Sequence, residues 1–132
     1  MLDKASATEW LRFSEMDLNS AEYLKSMIPQ PMEIICYHCQ QSAEKALKAF
    51  FVLHNNEVKK THDLRFLCNE CEKIDASFSK IEENSSRLTI YGVQSRYPFA
   101  IEIETEDMEL AIADAHSIFA FVKNAITLNA KE

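Results

Sequence analysis

Three short stretches of this chain carry residues able to do chemistry. His38, Gln41, Glu44, Lys45 and Lys48 lie close together, Thr61-His62-Asp63-Leu64 follows, and Arg96-Tyr97-Pro98 comes later. Imidazole, carboxylate, ammonium and guanidinium groups suit proton transfer or contact with a phosphate. At about 100° per helical residue, His38, Gln41, Lys45 and Lys48 fall within roughly an 80° arc, with Cys36, Cys39, Ala43, Ala46, Phe50 and Leu53 on the other side. One face of that helix is expected to pack and the other to present polar groups.

Each candidate has two readings. His62 sits in a first helical turn after Lys59-Lys60, where free backbone N–H groups, the helix dipole and ammonium groups favour an anion. Thr61, His62 and Asp63 equally suit capping and packing. Arg96 and Tyr97 offer a guanidinium and a phenol to a phosphate; alternatively Tyr97 packs and Arg96 pairs with an acid among residues 102–106. His38 reads as a helix-surface or subunit-contact residue, and His116 as a satisfied core or interface histidine.

The chain has no glycine-rich phosphate loop, no serine in a nucleophile elbow and no histidine pair spaced to hold a metal on one helix. What remains is proton transfer by His38 or His62 with Arg or Lys stabilising a phosphoryl group, as a metal-independent ribonuclease would need. Cys36-x-x-Cys39 and Cys68-x-x-Cys71 have zinc-like spacing. Both pairs fall inside expected helices with no glycine nearby, and Cys36 and Cys39 lie on an apolar stripe, so buried thiols are expected rather than a metal. No cofactor is expected, and a reducing cytoplasm argues against disulfides.

The elements that must position these groups are helical. With 132 residues, 47% of them apolar, a single glycine and three prolines, the chain suits one all-α domain, placed at residues 5–129. Ser6-Ala-Thr-Glu9 has capping-box form, and Trp10, Phe13, Leu18, Ala21 and Leu24 supply a helical stripe to about Met27. Pro31 suits the first turn of a second helix running to about His54. Thr61 is expected to cap a short third helix ending near Ile74. A fourth is expected from Asp75 or Ser77 to before Pro98, with an uneven apolar pattern. Thr105 is expected to cap a fifth, in which Met108, Ala111, Ile112, Ala115, Phe119, Val122 and Ile126 recur. Its second stripe, Leu110, Ile118, Phe121 and Ala125, makes it either central in the bundle or shared with a second subunit.

A net charge of −7 argues against broad binding of duplex DNA, which needs many cationic contacts to phosphate. The charge is uneven: Lys45, Lys48, Lys59, Lys60, His62 and Arg65 cluster in sequence, and Glu102, Glu104, Glu106, Asp107 and Glu109 form an acidic stretch. This fits a solvated helix face plus a charged loop, or a local phosphate site. No apolar run approaches the roughly 20 residues of a membrane span. The opening residues lack an export signal, so a cytoplasmic location is expected.

Taken in order, His38-x-Gln40-Gln41-x-x-Glu44-Lys45-x-Leu47-Lys48-Ala49, Thr61-His62-Asp63-Leu64 and Arg96-Tyr97-Pro98 resemble the HEPN domain (higher eukaryote and prokaryote nucleotide-binding). The segment from Trp10 with Asp17-Leu18 and Ala21 is also similar, so the resemblance covers nearly the whole chain. It implies an antiparallel up-and-down bundle of four main helices plus a short one, usually a homodimer. It also implies small prokaryotic proteins often paired with a minimal nucleotidyltransferase, some as toxin and antitoxin. On this resemblance Lys45, Lys48, His62, Arg96 and Tyr97 are the candidate nucleotide or phosphate contacts, and His38, Gln41, Glu44 and Asp63 the architectural or interface residues. RNA-cleaving members carry an Arg followed four to six residues later by His. None of Arg12, Arg65, Arg87 or Arg96 has such a His, although Arg87 with Tyr91, or Arg96 with Tyr97, could stand as a divergent remnant. A metal-independent ribonuclease built on His62 and Arg96 and a purely structural dimerisation module are the alternatives to a nucleotide- or RNA-associated module.

Overall fold

The computed structural model describes residues 1–92, 98 and 101–130, so Arg96 and Tyr97 lie outside the described residues. The elements are α1 (Lys4–Leu24), α2 (Met32–Leu53), α3 (Leu64–Glu72), α4 (Glu82–Leu88) and α5 (Thr105–Asn129). Short 3-10 turns at Ala76–Ile81 and Thr89–Tyr91 flank α4. The chain is all-α, as expected.

Cross-helix pairs define an up-and-down order. Asp3 donates its N–H to the Leu53 carbonyl, Ser14 sits opposite Ser42 and Asp17 opposite His38, so α1 and α2 run antiparallel. His116 of α5 meets Glu22 near the end of α1, and Ile126 near the end of α5 packs by Ala7 near the start of α1, so α5 also opposes α1. Arg87 meets Asp114 and Tyr91 lies by Asp107, so α4 opposes α5. α1, α2, α5 and the segment of α4 with its flanking 3-10 turns (residues 76–91) make up the four main layers, with the nine-residue α3 as the additional helix.

Carboxylates set three of the helix starts where hydroxyls were expected to. Asp3, not Ser6, caps α1 by accepting the Ser6 N–H at 3.1 Å. Asp63, not Thr61, caps α3 by accepting the Phe66 N–H at 3.1 Å, and Thr61 Oγ1 instead accepts the Asp63 N–H. Glu104, not Thr105, forms a capping box with Asp107 at the head of α5. A carboxylate satisfies an orphan N–H as a hydroxyl does and adds charge complementary to the dipole. Part of the acidic stretch therefore serves the start of α5.

The uneven pattern after Asp75 folds as 3-10, α and 3-10 in succession instead of one helix. Ser85 donates to the Ile81 carbonyl and Thr89 to the Ser85 carbonyl, the local bonding by which hydroxyl side chains disturb a helical ladder. The expected continuation of this helix beyond Gly92 lies outside the described residues apart from Pro98.

Residues of α1, α2, α3, α4 and α5 share one core, in which Phe78 bridges Phe50 at 4.4 Å and Phe121 at 5.0 Å between ring centres. α2 is buried around most of its girth from Ile35 to Leu53, so the expected split into a packed and an open face is only partial. In α1 the buried line is Ala7, Ser14, Leu18 and Ala21, whereas Phe13 is turned outward. Ile118 is buried and Leu110 exposed, which makes the second stripe of α5 mostly core. No helix among the described residues is long and apolar enough to cross a membrane.

Candidate functional site

Two acids organise the polar residues of α2. Asp17, from α1, accepts His38 Nδ1–H at 2.8 Å on one oxygen and Lys45 Nζ at 2.5 Å on the other. Its side chain is 12% exposed, and those of His38 and Lys45 are 27% and 26% exposed. Burial raises the Asp17 pKa, but the bonds from His38 and Lys45 outweigh it and leave the carboxyl below its ordinary range.

Glu44, from α2, is the deeper of the two. It accepts Lys48 Nζ at 2.9 Å, Gln40 Nε2 at 3.1 Å and His62 Nδ1 at 2.8 Å. Burial again pushes its pKa up, and the donors Lys48, His62 and Gln40 bring it below the usual value. Lys48 and Glu44 are both buried, whereas the His62 side chain is 57% exposed. His62 thus sits half in solvent, held from behind by a buried acid.

Gln40 completes this cluster and is itself fully buried. Besides Glu44 it donates to the His62 carbonyl at 3.1 Å, and its Oε1 accepts Gln41 Nε2 at 2.7 Å. All three hydrogen-bonding positions expected of a buried amide in this setting are used.

The predicted site residues therefore divide. His38 and Lys45 meet at Asp17, and Lys48, Gln41 and His62 converge on Glu44 directly or through Gln40. Asp63 caps α3, so its carboxylate occupies the helix start at which an anion was considered. Arg65 pairs with Glu82 at 3.2 Å. His116 is neither core nor buried: it is exposed on α5 and meets Glu22 at 2.8 Å, because its side of α5 looks across to the α1 surface. Surface clefts flank the Asp17 pair, one of about 380 Å³ lined by Ser6, Glu9, Trp10, Phe13 and Lys45, and one of about 510 Å³ lined by His38, Ser20, Tyr23 and neighbours.

A third acid was missed in the sequence. Asp114, 2% exposed on α5, accepts Asn84 Nδ2 at 2.8 Å and a two-pronged contact from Arg87 at 2.9 and 2.7 Å. This engages the Arg87 considered as a catalytic remnant. Burial pushes the neighbouring Tyr91 phenol up to about 12. The signal for Asp114 was present: it is an acid inside an apolar run, where a charge needs a partner.

The four thiols are buried and free. Cys68 Sγ donates to the Phe78 carbonyl and Cys71 Sγ to the Leu47 carbonyl. Cys71 thus contacts α2 at Leu47, and Cys39 lies eight positions earlier, roughly 12 Å along the helix. Burial pushes Cys36 up to about 12 and Cys68 up to about 11. Among the described residues no group of three or more His, Cys, Asp or Glu is arranged to hold a metal.

Comparison with known proteins places this arrangement in context. A family model described as the HEPN domain matches residues 7–125. The fold is similar to the crystal structure of TT1696 from Thermus thermophilus, with a TM-score of 0.74, 27% identity and coverage of 89% of this chain and 96% of that one. It is also similar to ST0689, an archaeal HEPN homologue, with a TM-score of 0.70, 27% identity and coverage of 91% and 97%. No curated protein matches the chain.

Proposed function

The chain belongs to the HEPN domain family, and from that premise we propose a dimeric, non-catalytic module that associates with a nucleotide or RNA and works with a minimal nucleotidyltransferase in the cytoplasm. The observation that carries this reading is the state of His62. Its imidazole is 57% exposed, yet anchored through Nδ1 to the buried Glu44, and Lys59 and Lys60 precede it closely in sequence. An anchored, solvent-facing imidazole on a segment that also carries two exposed lysines suits contact with a phosphate on an otherwise acidic protein. Lys45 lies beside the Trp10–Phe13 cleft and adds a second cation with aromatic surface nearby. Arg96 and Tyr97 are proposed as further contacts. Lys48, buried against Glu44, acts through His62 rather than by touching a ligand.

Two observations support the non-catalytic part of this proposal. Lys45, Lys48 and Arg87 each face a carboxylate, and no Arg in the sequence has a His four to six residues later. Titration with mononucleotides, short single-stranded RNA and a minimal nucleotidyltransferase tests the reading. Binding that weakens about tenfold or more in the triple variant Lys59→Ala, Lys60→Ala, His62→Ala supports it. No binding to any of the three, by a folded protein, sinks it. RNA cleavage and growth arrest on expression, both lost in His62→Ala, would instead establish the ribonuclease alternative.

A second reading is favoured by the buried pairs themselves: Gln41, Glu44, Lys45 and Lys48 serve helix register and dimer contacts alone. Substitutions there would then lower the melting temperature or dissociate a dimer, measured by sedimentation, without changing any ligand's affinity.

A further inference from the structure

The only glycine of the chain stands where its backbone does not need one. Gly92 has φ −70° and ψ −40°, ordinary helical angles that any residue adopts. Glycine is a poor choice in helical backbone, because it gives up more conformational freedom than alanine without contributing a packed side chain. The reason lies across the interface. A Cβ on Gly92 would come within 3.1 Å of both Cδ and Nε2 of Gln40. Gln40 is fully buried and bonded to Gln41, Glu44 and His62, so the shift of a few tenths of an ångström that a Cβ would demand of its amide must be taken up in those bonds.

We infer that Gln40 is the positioning residue for His62, and that Gly92 is glycine in order to admit the Gln40 amide. One amide nitrogen fixes both ends of His62: it donates to the His62 carbonyl and to the Glu44 oxygen that holds the imidazole. A second tie runs alongside. The Leu64 N–H donates to Thr89 Oγ1 at 3.2 Å, and the Gly92 N–H donates to the Thr89 carbonyl at 3.2 Å. The turn carrying His62 and the end of the α4 region are thus fastened to each other and to the middle of α2. The Gln40–Gly92 contact therefore braces the His62 turn proposed to meet a ligand, and to that extent it deepens the proposed function and rests on it.

The test is a double-mutant cycle on the unliganded protein, so failure to bind a nucleotide, which sinks the proposed function, does not blur its outcome. Gly92→Ala in the natural background is expected to lower the melting temperature by roughly 3–6 °C. In a Gln40→Ala background the same change is expected to be neutral or to raise it, since alanine in a helical conformation then meets only an ordinary contact with the Thr89 carbonyl oxygen at 3.4 Å. Equal losses in both backgrounds would overturn the inference. Hydrogen exchange supplies the local readout. The Leu64 amide, protected by Thr89, should exchange about tenfold faster or more in Gly92→Ala, whereas α1 amides around Leu18 keep their rates. The acid titration of Glu44, followed by carboxyl NMR, should move upward in Gln40→Leu as one of three donors is lost, and should be restored in Gln40→Asn if that shorter amide still reaches. A Glu44 titration unmoved by Gln40→Leu, or Leu64 exchange unmoved by Gly92→Ala, would also overturn it.

Discussion

The Asp17 and Glu44 clusters have the same parts and different settings. Each is a carboxylate shared by a histidine Nδ1 and a lysine Nζ. Asp17 ties α1 to α2 near the surface, and both of its partners, His38 and Lys45, are about a quarter exposed. Glu44 is buried with its lysine and reaches outward only through His62. The first is a latch between two helices that water can replace in part. The second is a buried ion pair whose members cannot be removed singly without leaving a charge in the core, and it carries an exposed imidazole on its outer side. Chemistry of the same type thus serves cohesion at one place and presentation at the other.

Breaking the buried member should have the largest effect. Glu44→Ala leaves the Lys48 ammonium buried without its acid and is expected to cost about 3–5 kcal/mol, measured by urea unfolding. The double change Glu44→Leu with Lys48→Met should recover most of that loss, because an apolar pair of similar size replaces two charges. Failure to recover would show that the His62 and Gln40 bonds, and not the charge of Lys48, dominate the cluster.

Next in size is Asp17→Ala, expected to cost about 1–3 kcal/mol, since His38 and Lys45 can turn to water. A loss as large as that of Glu44→Ala would erase the contrast drawn between the two clusters. Arg87→Ala provides an intermediate case at the third acid: Asp114 stays buried with Asn84 alone, and a loss of about 2 kcal/mol is expected.

Acid pH sharpens the comparison further. Both folded carboxyls lie below their ordinary values, so each contributes stability that is present above the unfolded-state value and is lost as pH falls through the folded one. The unfolded values are 4.5 for Glu44 and 3.8 for Asp17, so stability should begin to decline from about pH 4.5 downward. Glu44→Gln should flatten the upper part of that decline, and Asp17→Asn the lower part, in unfolding curves taken across the range. The smallest effect is expected at Arg12 and Glu9, an ion pair with both side chains more than half exposed: Arg12→Ala should leave the unfolding midpoint unchanged within error.

Much of this molecule was legible in the residues. Helical spacing and the scarcity of glycine and proline announced an all-α bundle, and the breaks at Pro29–Pro31 and after His54 lie close to the observed ends of α1 and α2. Glu44 with Lys48 could be read as a pair because four positions on a helix bring side chains together. Asp17 with Lys45 could not, because the two are 28 positions apart and meet only when α1 folds back along α2. His116 looked like a core residue by its company of apolar neighbours, yet one step around α5 separates a buried position from an exposed one. Thr61 was expected to cap the third helix, and Asp63, two positions later, proved to be the cap.

Sequence by itself determined the class of the fold, the order of its helices and which residues carry charge, since these follow from local periodicity, from the backbone preferences of a few residues and from composition. Only the tertiary structure decided which acid each cation faces, that the single glycine at 92 lies against the Gln40 amide, and that the Glu44 carboxylate holds an exposed His62. Those outcomes depend on contacts between segments far apart in sequence, 18 positions for Glu44 with His62 and 28 for Asp17 with Lys45, where burial makes an unpaired polar group costly and so selects the partner.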